Sequence, residues 1–346
     1  MARRSVPGIF ANIYEGRALF IHAAAGKARR AAKKTANCGA HLQWRGTAFI
    51  MGKDSRWLSR GVPLALAARF QARGSRDAGA RRPPHGKGGA RMVLCVDAGN
   101  TNIVLGGYLG GRLVFLSRIA TQPALQADQY ALQIEGVLAL HGAAKPQGAI
   151  LSSVVPPVTG ALCGALQLLC GAPPLVLSRA LCPEVPICIY QPDELGADLL
   201  AGAVAARARC RMPAVVIDMG TATKLTALDA AGAVQGVSIL PGMMVSLNAL
   251  ISGASQLSAV ATQAPAHAIG KNTAESIQSG IVLGTADLLD GMLARFEAEL
   301  GGPADVVATG GLAGLVVPHC RRSIPVVPHL LLDGLYEVYR RNTAQA

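Results

Sequence analysis

The fold is decided by VLCVDAGNTNIVLGGYLGGRLV, residues 93–114, and by a second copy of the same pattern, AVVIDMGTATKLTALDAAGAVQ, residues 214–235. The two copies align without a gap when Asp97 is matched to Asp218. Each copy has an apolar strand, an Asp-x-Gly turn, a second strand and a Gly-containing hairpin turn. One such unit is an ordinary strand-to-turn sequence, but two copies in equivalent contexts predict a duplicated domain.

The turn of each copy has the residue types that bind phosphate and metal. Gly99 and Gly220 lack a Cβ, so the backbone can approach an anion closely. Asp97 and Asp218 supply hard carboxylate oxygens for a cation that accompanies phosphates. Short hydrogen-bond donors also occupy the turns, namely Asn100, Thr101 and Thr221. The repeat therefore predicts a nucleotide held between two halves.

Residues 306–315, VVATGGLAGL, form a third candidate element. An apolar strand runs into Gly310 and Gly311 and then into a helical segment, a junction that suits a nucleotide but is also a common tight connection. Strands and helices alternate from Met92 onward, which predicts an α/β protein. Residues 288–300 predict an amphipathic helix with one apolar face, made of Leu288, Leu289, Met292, Leu293 and Phe296.

The net charge of +13 is concentrated in one part of the chain. Residues 1–91 hold 19 basic and 3 acidic side chains, whereas residues 92–346 hold 14 basic and 17 acidic ones. Residues 1–91 lack a sustained apolar period and predict a basic extension of low order. Three interpretations stay open for it: a nucleic-acid-binding arm, an organelle presequence, or upstream codons included by a wrongly assigned start, which the change in composition at Met92 favours.

Two long stretches without Asp, Glu, Lys or Arg, residues 146–178 and 230–270, raise the question of a membrane span. Proline residues and polar side chains interrupt both, so the apolar runs are shorter than the ~20 residues that a spanning helix needs. We interpret them as buried core and expect no membrane partner. The 8 cysteines form no CxxC pair, which is typical of buried thiols in a cytoplasmic protein.

From Met92 to Asn342 the chain resembles the type III pantothenate kinases, of the acetate and sugar kinase, Hsp70 and actin superfamily. The matching segments, in order, are DAGNTNIVLG (97–106), SSVVPPVT (152–159), YQPDELGAD (190–198), VIDMGTAT (216–223), LPGMMVSLNAL (240–250), IGKNTAESIQSG (269–280) and ATGGLAGL (308–315). The resemblance implies two ribonuclease-H-like halves, residues 92–205 and 206–346, with a nucleotide cleft between them. It also implies a cytoplasmic homodimer.

The resemblance implies that ATP with Mg²⁺ phosphorylates the primary hydroxyl of pantothenate, the first step toward coenzyme A. Asp198 resembles the proton acceptor, Asp97 a magnesium ligand, and Asp218 the ligand of a monovalent cation, K⁺ or NH₄⁺. The implied ATP-binding positions are Asp97, Ala98, Gly99, Asn100, Thr101, Asn102, Ile103, Val104 and Thr221. The implied pantothenate-binding positions are Tyr190, Gly196, Ala197, Asp198, Leu199 and Thr273. From the residues alone, without the flanking motifs, a helix cap is the favoured interpretation of Asp198, and Thr273 too could be only a cap.

Two departures from the family pattern bear on function. Leu199 stands where the family has Arg, which would bind a substrate carboxylate with a planar, charged fork. Lys224 follows the GTAT motif where the family usually has Thr, and it lies near the proposed potassium site or the nucleotide, or points to solvent. These changes keep open a second function, that of a regulatory accessory binding protein. The presence of Asp97, Asp198 and Asp218 argues against it, because a binding module needs no such set.

Overall fold

The computed structural model describes residues 91–253 and 260–344. The predicted extension, residues 1–91, lies outside these ranges apart from Arg91, so its interpretation stays a prediction. The first sheet is five-stranded, with the order β3-β2-β1-β4-β5. Its strands are β1 (Met92–Ala98), β2 (Asn102–Leu109), β3 (Arg112–Ala120), β4 (Gly148–Ser153) and β5 (Leu175–Val176).

The second sheet repeats the arrangement of the first. Its strands are β6 (Ala214–Met219), β7 (Ala222–Leu228), β8 (Val234–Pro241) and β9 (Asp305–Thr309), in the order β8-β7-β6-β9. In both sheets the first strand pairs antiparallel with the second and parallel with a later one, β4 or β9. Strands β1 and β6 are apolar and almost wholly buried, as expected of central strands.

Helices cover the outer faces of both sheets. Helices α1 (Ala127–Leu140) and α2 (Pro156–Cys170) share a core with the first sheet. Helices α4 (Met243–Gly253), α6 (Gly284–Leu300) and α7 (Ala313–Val316) share a core with the second. The short helix α5 (Thr273–Gln278) joins α6 through a π-helical segment, Ser279–Leu283.

Two helices form the central layer, α3 (Ala197–Arg209) and α8 (Leu330–Thr343). They pack against each other, and α3 contacts β4 of the first sheet and β6 and β7 of the second. Helix α8 follows the second sheet in the chain but packs against β1, β2 and β4 of the first. One apolar cluster therefore joins both sheets through α3 and α8.

The predicted fold class, a duplicated ribonuclease-H-like α/β protein, is confirmed. The predicted boundary between residues 205 and 206 falls inside α3, and the division into two halves stays a prediction. In α6, Leu289 and Leu293 are buried as expected, whereas Leu288 is exposed, because the apolar face is narrower than the sequence indicated. Within residues 91–253 and 260–344, no helix has the length and apolar character needed to cross a membrane.

Candidate active site

The turns of the two repeated hairpins meet each other. β1 and β2 are joined by residues 99–101, and β6 and β7 by residues 220–221. The hydroxyl oxygens of Thr101 and Thr221 lie 2.9 Å apart, and both residues are exposed. The structure thus places the two predicted phosphate-binding turns side by side.

The second turn is one residue shorter than the first, which corrects the gapless alignment of the repeat. In the first hairpin Asp97 lies opposite Val104, whereas in the second Asp218 lies opposite Lys224. The sequence did not reveal this difference in turn length, because the residues after each turn look alike and both continue into a β-strand. The residue opposite the aspartate is therefore apolar in the first hairpin, where it is Val104, and cationic in the second, where it is Lys224.

Asp198 lies in the first turn of α3 and is not its N-cap, which is Gly196. Its Oδ1 accepts a hydrogen bond from the backbone N–H of Leu199, with an N to O distance of 2.8 Å. A Cβ at Gly196 would lie 2.6 Å from the same Oδ1, so a residue without a side chain leaves room for the carboxylate. The negative charge also lies favourably at the positive end of the helix dipole.

Lys224 joins two of the three predicted aspartates. Its Nζ lies 2.5 Å from Oδ2 of Asp198 and 2.8 Å from Oδ2 of Asp218. The side chains of Lys224, Asp198 and Asp218 are only 17%, 12% and 16% exposed. Burial by itself opposes the charge on Lys224, but Asp218 and Asp198 more than offset this and raise its pKa. Lys224 is thus an ammonium held between two carboxylates.

Asp97 completes the acidic group at the end of β1. Burial, and then the nearby carboxylates of Asp198 and Asp218, raise the pKa of Asp97 from 3.8 to about 7, although Ser152 and Lys224 oppose the shift. Burial is also the largest cause that raises the pKa of Asp218, while Lys224 lowers it. The ammonium of Lys224 contacts the carboxylates of Asp198 and Asp218, and no such contact is made to Asp97 among the described residues. A further cation at Asp97 would relieve the excess negative charge, so this carboxylate fits a divalent ion.

The site is compatible with the expected Mg²⁺ but not with the expected monovalent cation. In the part of the chain that the structure describes, no three His, Cys, Asp or Glu side chains group as a protein-only metal site. Mg²⁺ commonly takes one or two protein carboxylates and completes its shell with phosphate oxygens and water, so Asp97 is compatible with it. At Asp218, the expected ligand for K⁺ or NH₄⁺, an oxygen already contacts the ammonium of Lys224. The surroundings of Asp218 therefore do not fit a second monovalent cation.

The other predicted site residues lie outside the group formed by Lys224 and the three aspartates. Ala98 and Ile103 are buried in the core of the first sheet, Asn100 and Asn102 are exposed, and Val104 is half-buried. Ala197 and Leu199 flank Asp198 and are partly buried. Tyr190 and Thr273 are exposed, and the described residues include no hydrogen bond from either to the three aspartates. Thr273 is not a cap, because Asn272 caps α5 by accepting from the N–H of Glu275.

The Gly-Gly junction lies beside the second turn. Gly310 has a φ of +95°, and a Cβ on it would lie 2.5 Å from the backbone oxygen of Met219, the last residue of β6. A side chain is therefore excluded here on two grounds. The helix that follows, α7, has only 4 residues, so the backbone of the junction is its main feature.

Paired aspartates at the ends of equivalent strands, with two phosphate-type turns that meet, are the arrangement expected of a phosphotransferase. The family model described as type III pantothenate kinase matches residues 93–295. Type III pantothenate kinases of Moorella thermoacetica and Myxococcus xanthus are 39% and 38% identical, each over 73% of this chain and 100% of their own length. The chain belongs to the type III pantothenate kinase family.

A similar solved structure is that of MreB 5 of Spiroplasma citri bound to AMPPNP, with a TM-score of 0.44 and 11% identity over 74% of this chain and 97% of that one.

Proposed function

We propose that this chain transfers the γ-phosphoryl group of ATP to the primary hydroxyl of pantothenate. Family membership supports the reaction, because the relatives named above are called type III pantothenate kinases. The observation that carries the proposal is the convergence of Asp97, Asp198 and Asp218 from β1, α3 and β6 on one buried group of charges.

ATP would bind at the meeting turns. The hydroxyls of Thr101 and Thr221, which contact each other in this structure, would turn toward phosphate oxygens, and the small residues of both turns would let backbone N–H groups approach. The contribution of Ala98, Ile103 and Val104 would come through the backbone, since Ala98 and Ile103 are buried. Asp97 would hold Mg²⁺, which supplies positive charge against the phosphoryl oxygens when bound.

Asp198 would receive the proton of the pantothenate hydroxyl. Its position at the start of α3 and its fixed Oδ1 hold the carboxylate in one orientation, which a general base requires. The neighbouring Gly196, Ala197 and Leu199 would line the substrate site. Leu199 has no charge to offer the pantothenate carboxylate, so another group would anchor it. Tyr190 and Thr273, which are exposed here, would contact the substrate once the loop of Tyr190 and the start of α5 move toward it.

We also propose a homodimer that works in the cytoplasm. Leu132 and Leu140 of α1 and Leu168 of α2 are exposed, and they offer apolar surface that a second copy could bury. The cytoplasm is where ATP is available as phosphate donor. The accessory-protein alternative is not favoured, because all three aspartates converge as an active site needs.

The test is the substitution Asp198→Asn, assayed for ATP-dependent phosphorylation of pantothenate. Asn keeps the shape of the side chain but cannot take the proton, so kcat should fall by roughly 10²-fold or more. ATP affinity, measured by calorimetry, should stay within about threefold, because the phosphate turns are untouched. Asp229→Asn, in the hairpin turn between β7 and β8, is the matched control. Full activity of Asp198→Asn would exclude Asp198 as the proton acceptor.

A further inference from the structure

Lys224 connects the strand pair of the second sheet to the helix that carries the proposed proton acceptor. It lies on β7 directly opposite Asp218 of β6, while Asp198 opens α3. The distances of 2.5 Å to Asp198 and 2.8 Å to Asp218 leave no space for another ion between Nζ and either oxygen. A single ammonium thus neutralises charge at two of the three aspartates.

A purely structural role does not explain a lysine at this place. A mostly buried ion pair adds little net stability, because desolvation of the charges offsets their attraction. The repeat supplies an internal comparison, since the position opposite Asp97 in the first hairpin is Val104. The first hairpin therefore forms with an apolar residue at the corresponding place. The cation at residue 224 is better explained by the charges of Asp198 and Asp218.

We propose that the ammonium of Lys224 is a tethered monovalent cation, which takes the place of a free K⁺ or NH₄⁺ ion and positions Asp198 for the reaction. The proposal rests on the proposed kinase activity. Lys224 is a positioning residue, because it acts on the substrate through Asp198. A side-chain ammonium has the same charge as K⁺ and NH₄⁺. Because it is tethered to the chain, every protein molecule has it in the site whatever salt is in solution. The kinase should therefore need no added monovalent cation.

The first measurement uses the unaltered full chain. Its rate of pantothenate phosphorylation should differ by less than about twofold between potassium, ammonium and tetramethylammonium chloride at one ionic strength of about 0.1 M. Tetramethylammonium is too large to enter a K⁺ site, so it controls for screening alone. Activation by potassium of about tenfold or more over tetramethylammonium would overturn the proposal.

The second measurement uses Lys224→Ala, which removes the ammonium and leaves space. In tetramethylammonium chloride its rate should fall by about 10²-fold, as when a positioned charge partner is lost, and potassium or ammonium should restore about tenfold or more of it. Lys224→Met fills the space without a charge and should not be rescued. Lys145→Ala, at an exposed lysine of the first half, is the control and should behave like the unaltered chain.

Two results with Lys224→Ala would overturn the tethered-cation role: full activity without any small cation, or loss of activity that no cation restores in a folded protein. Melting temperatures separate this proposal from the kinase activity itself. Potassium should raise the melting temperature of Lys224→Ala, but not that of the unaltered chain, relative to tetramethylammonium. If the unaltered chain phosphorylates nothing but this difference is seen, the assigned reaction fails and the tethered cation stands. If the variant does not fold, the salt comparison on the unaltered chain still decides.

Discussion

At the scale of single residues, the state of Asp97 makes stability depend on pH. Because its pKa is raised to about 7, the folded protein keeps a proton on Asp97 that the unfolded chain, with a pKa near 3.8, has already released. The folded state then binds more protons than the unfolded state, so the free energy of unfolding falls as the pH rises through this window. Above about pH 7, the charged carboxylate of Asp97 lowers the free energy of unfolding of the protein without nucleotide and metal.

Asp97→Asn should therefore be more stable than the unaltered chain at alkaline pH. We expect a gain on the order of 2 kcal/mol at about pH 8 that shrinks toward zero below about pH 3, where Asp97 is protonated in both states. Urea unfolding in EDTA, without nucleotide, measures it at each pH. A difference that does not change with pH would show that Asp97 does not titrate in this window.

The three aspartates could be predicted from the sequence, but not the contacts between them. Asp97 and Asp218 are visible because each ends an apolar strand in a repeated pattern, and Asp198 because it lies in a family motif. The bond between Lys224 and Asp198 joins β7 to α3 across 26 positions, and it depends on how a helix packs on a sheet. No local sequence pattern shows how a helix packs on a sheet, so the sequence alone could not predict which residues the side chain of Lys224 contacts.

At the scale of elements, the Gly-Gly junction after β9 fixes the position of the second phosphate-type turn. Gly310→Ala would force a Cβ against the backbone of Met219 and would require a φ of +95° from a residue that disfavours it. We expect a loss of about 1–3 kcal/mol in stability, together with weaker ATP binding because the end of β6 shifts. Thermal unfolding and calorimetry measure the two effects.

Gly311→Ala is the control for this junction, because a Cβ there meets no atom within 4 Å. Its melting temperature should match that of the unaltered chain. Equal melting temperatures for both variants would mean that the junction is not constrained as described. The importance of Gly310 was predictable from the motif, whereas the short α7 was not, because AGLV resembles the start of a longer helix.

At the scale of the whole molecule, the packing of α3 against α8 holds the two sheets together. A Cβ on Gly334 of α8 would lie 2.0 Å from the backbone oxygen of Ala201 in α3. Gly334→Ala should thus separate the helices and cost about 3 kcal/mol, which lowers the melting temperature by roughly 6–12 °C for a protein of this size. Gly291→Ala, on the exposed side of α6 with nothing within 4 Å, should instead stabilise by about 0.5–1 kcal/mol. A melting temperature of Gly334→Ala equal to that of Gly291→Ala would contradict this role.

The crossing of α8 to the first sheet also sets the order of events during synthesis. The ribosome completes β1, β2 and β4 long before it makes residues 330–343, which cover one face of those strands. That apolar face of the nascent first half therefore stays uncovered until residues 330–343 have left the exit tunnel. Shielding by a chaperone during that interval would matter more for this chain than for one whose halves each finish their own core in turn.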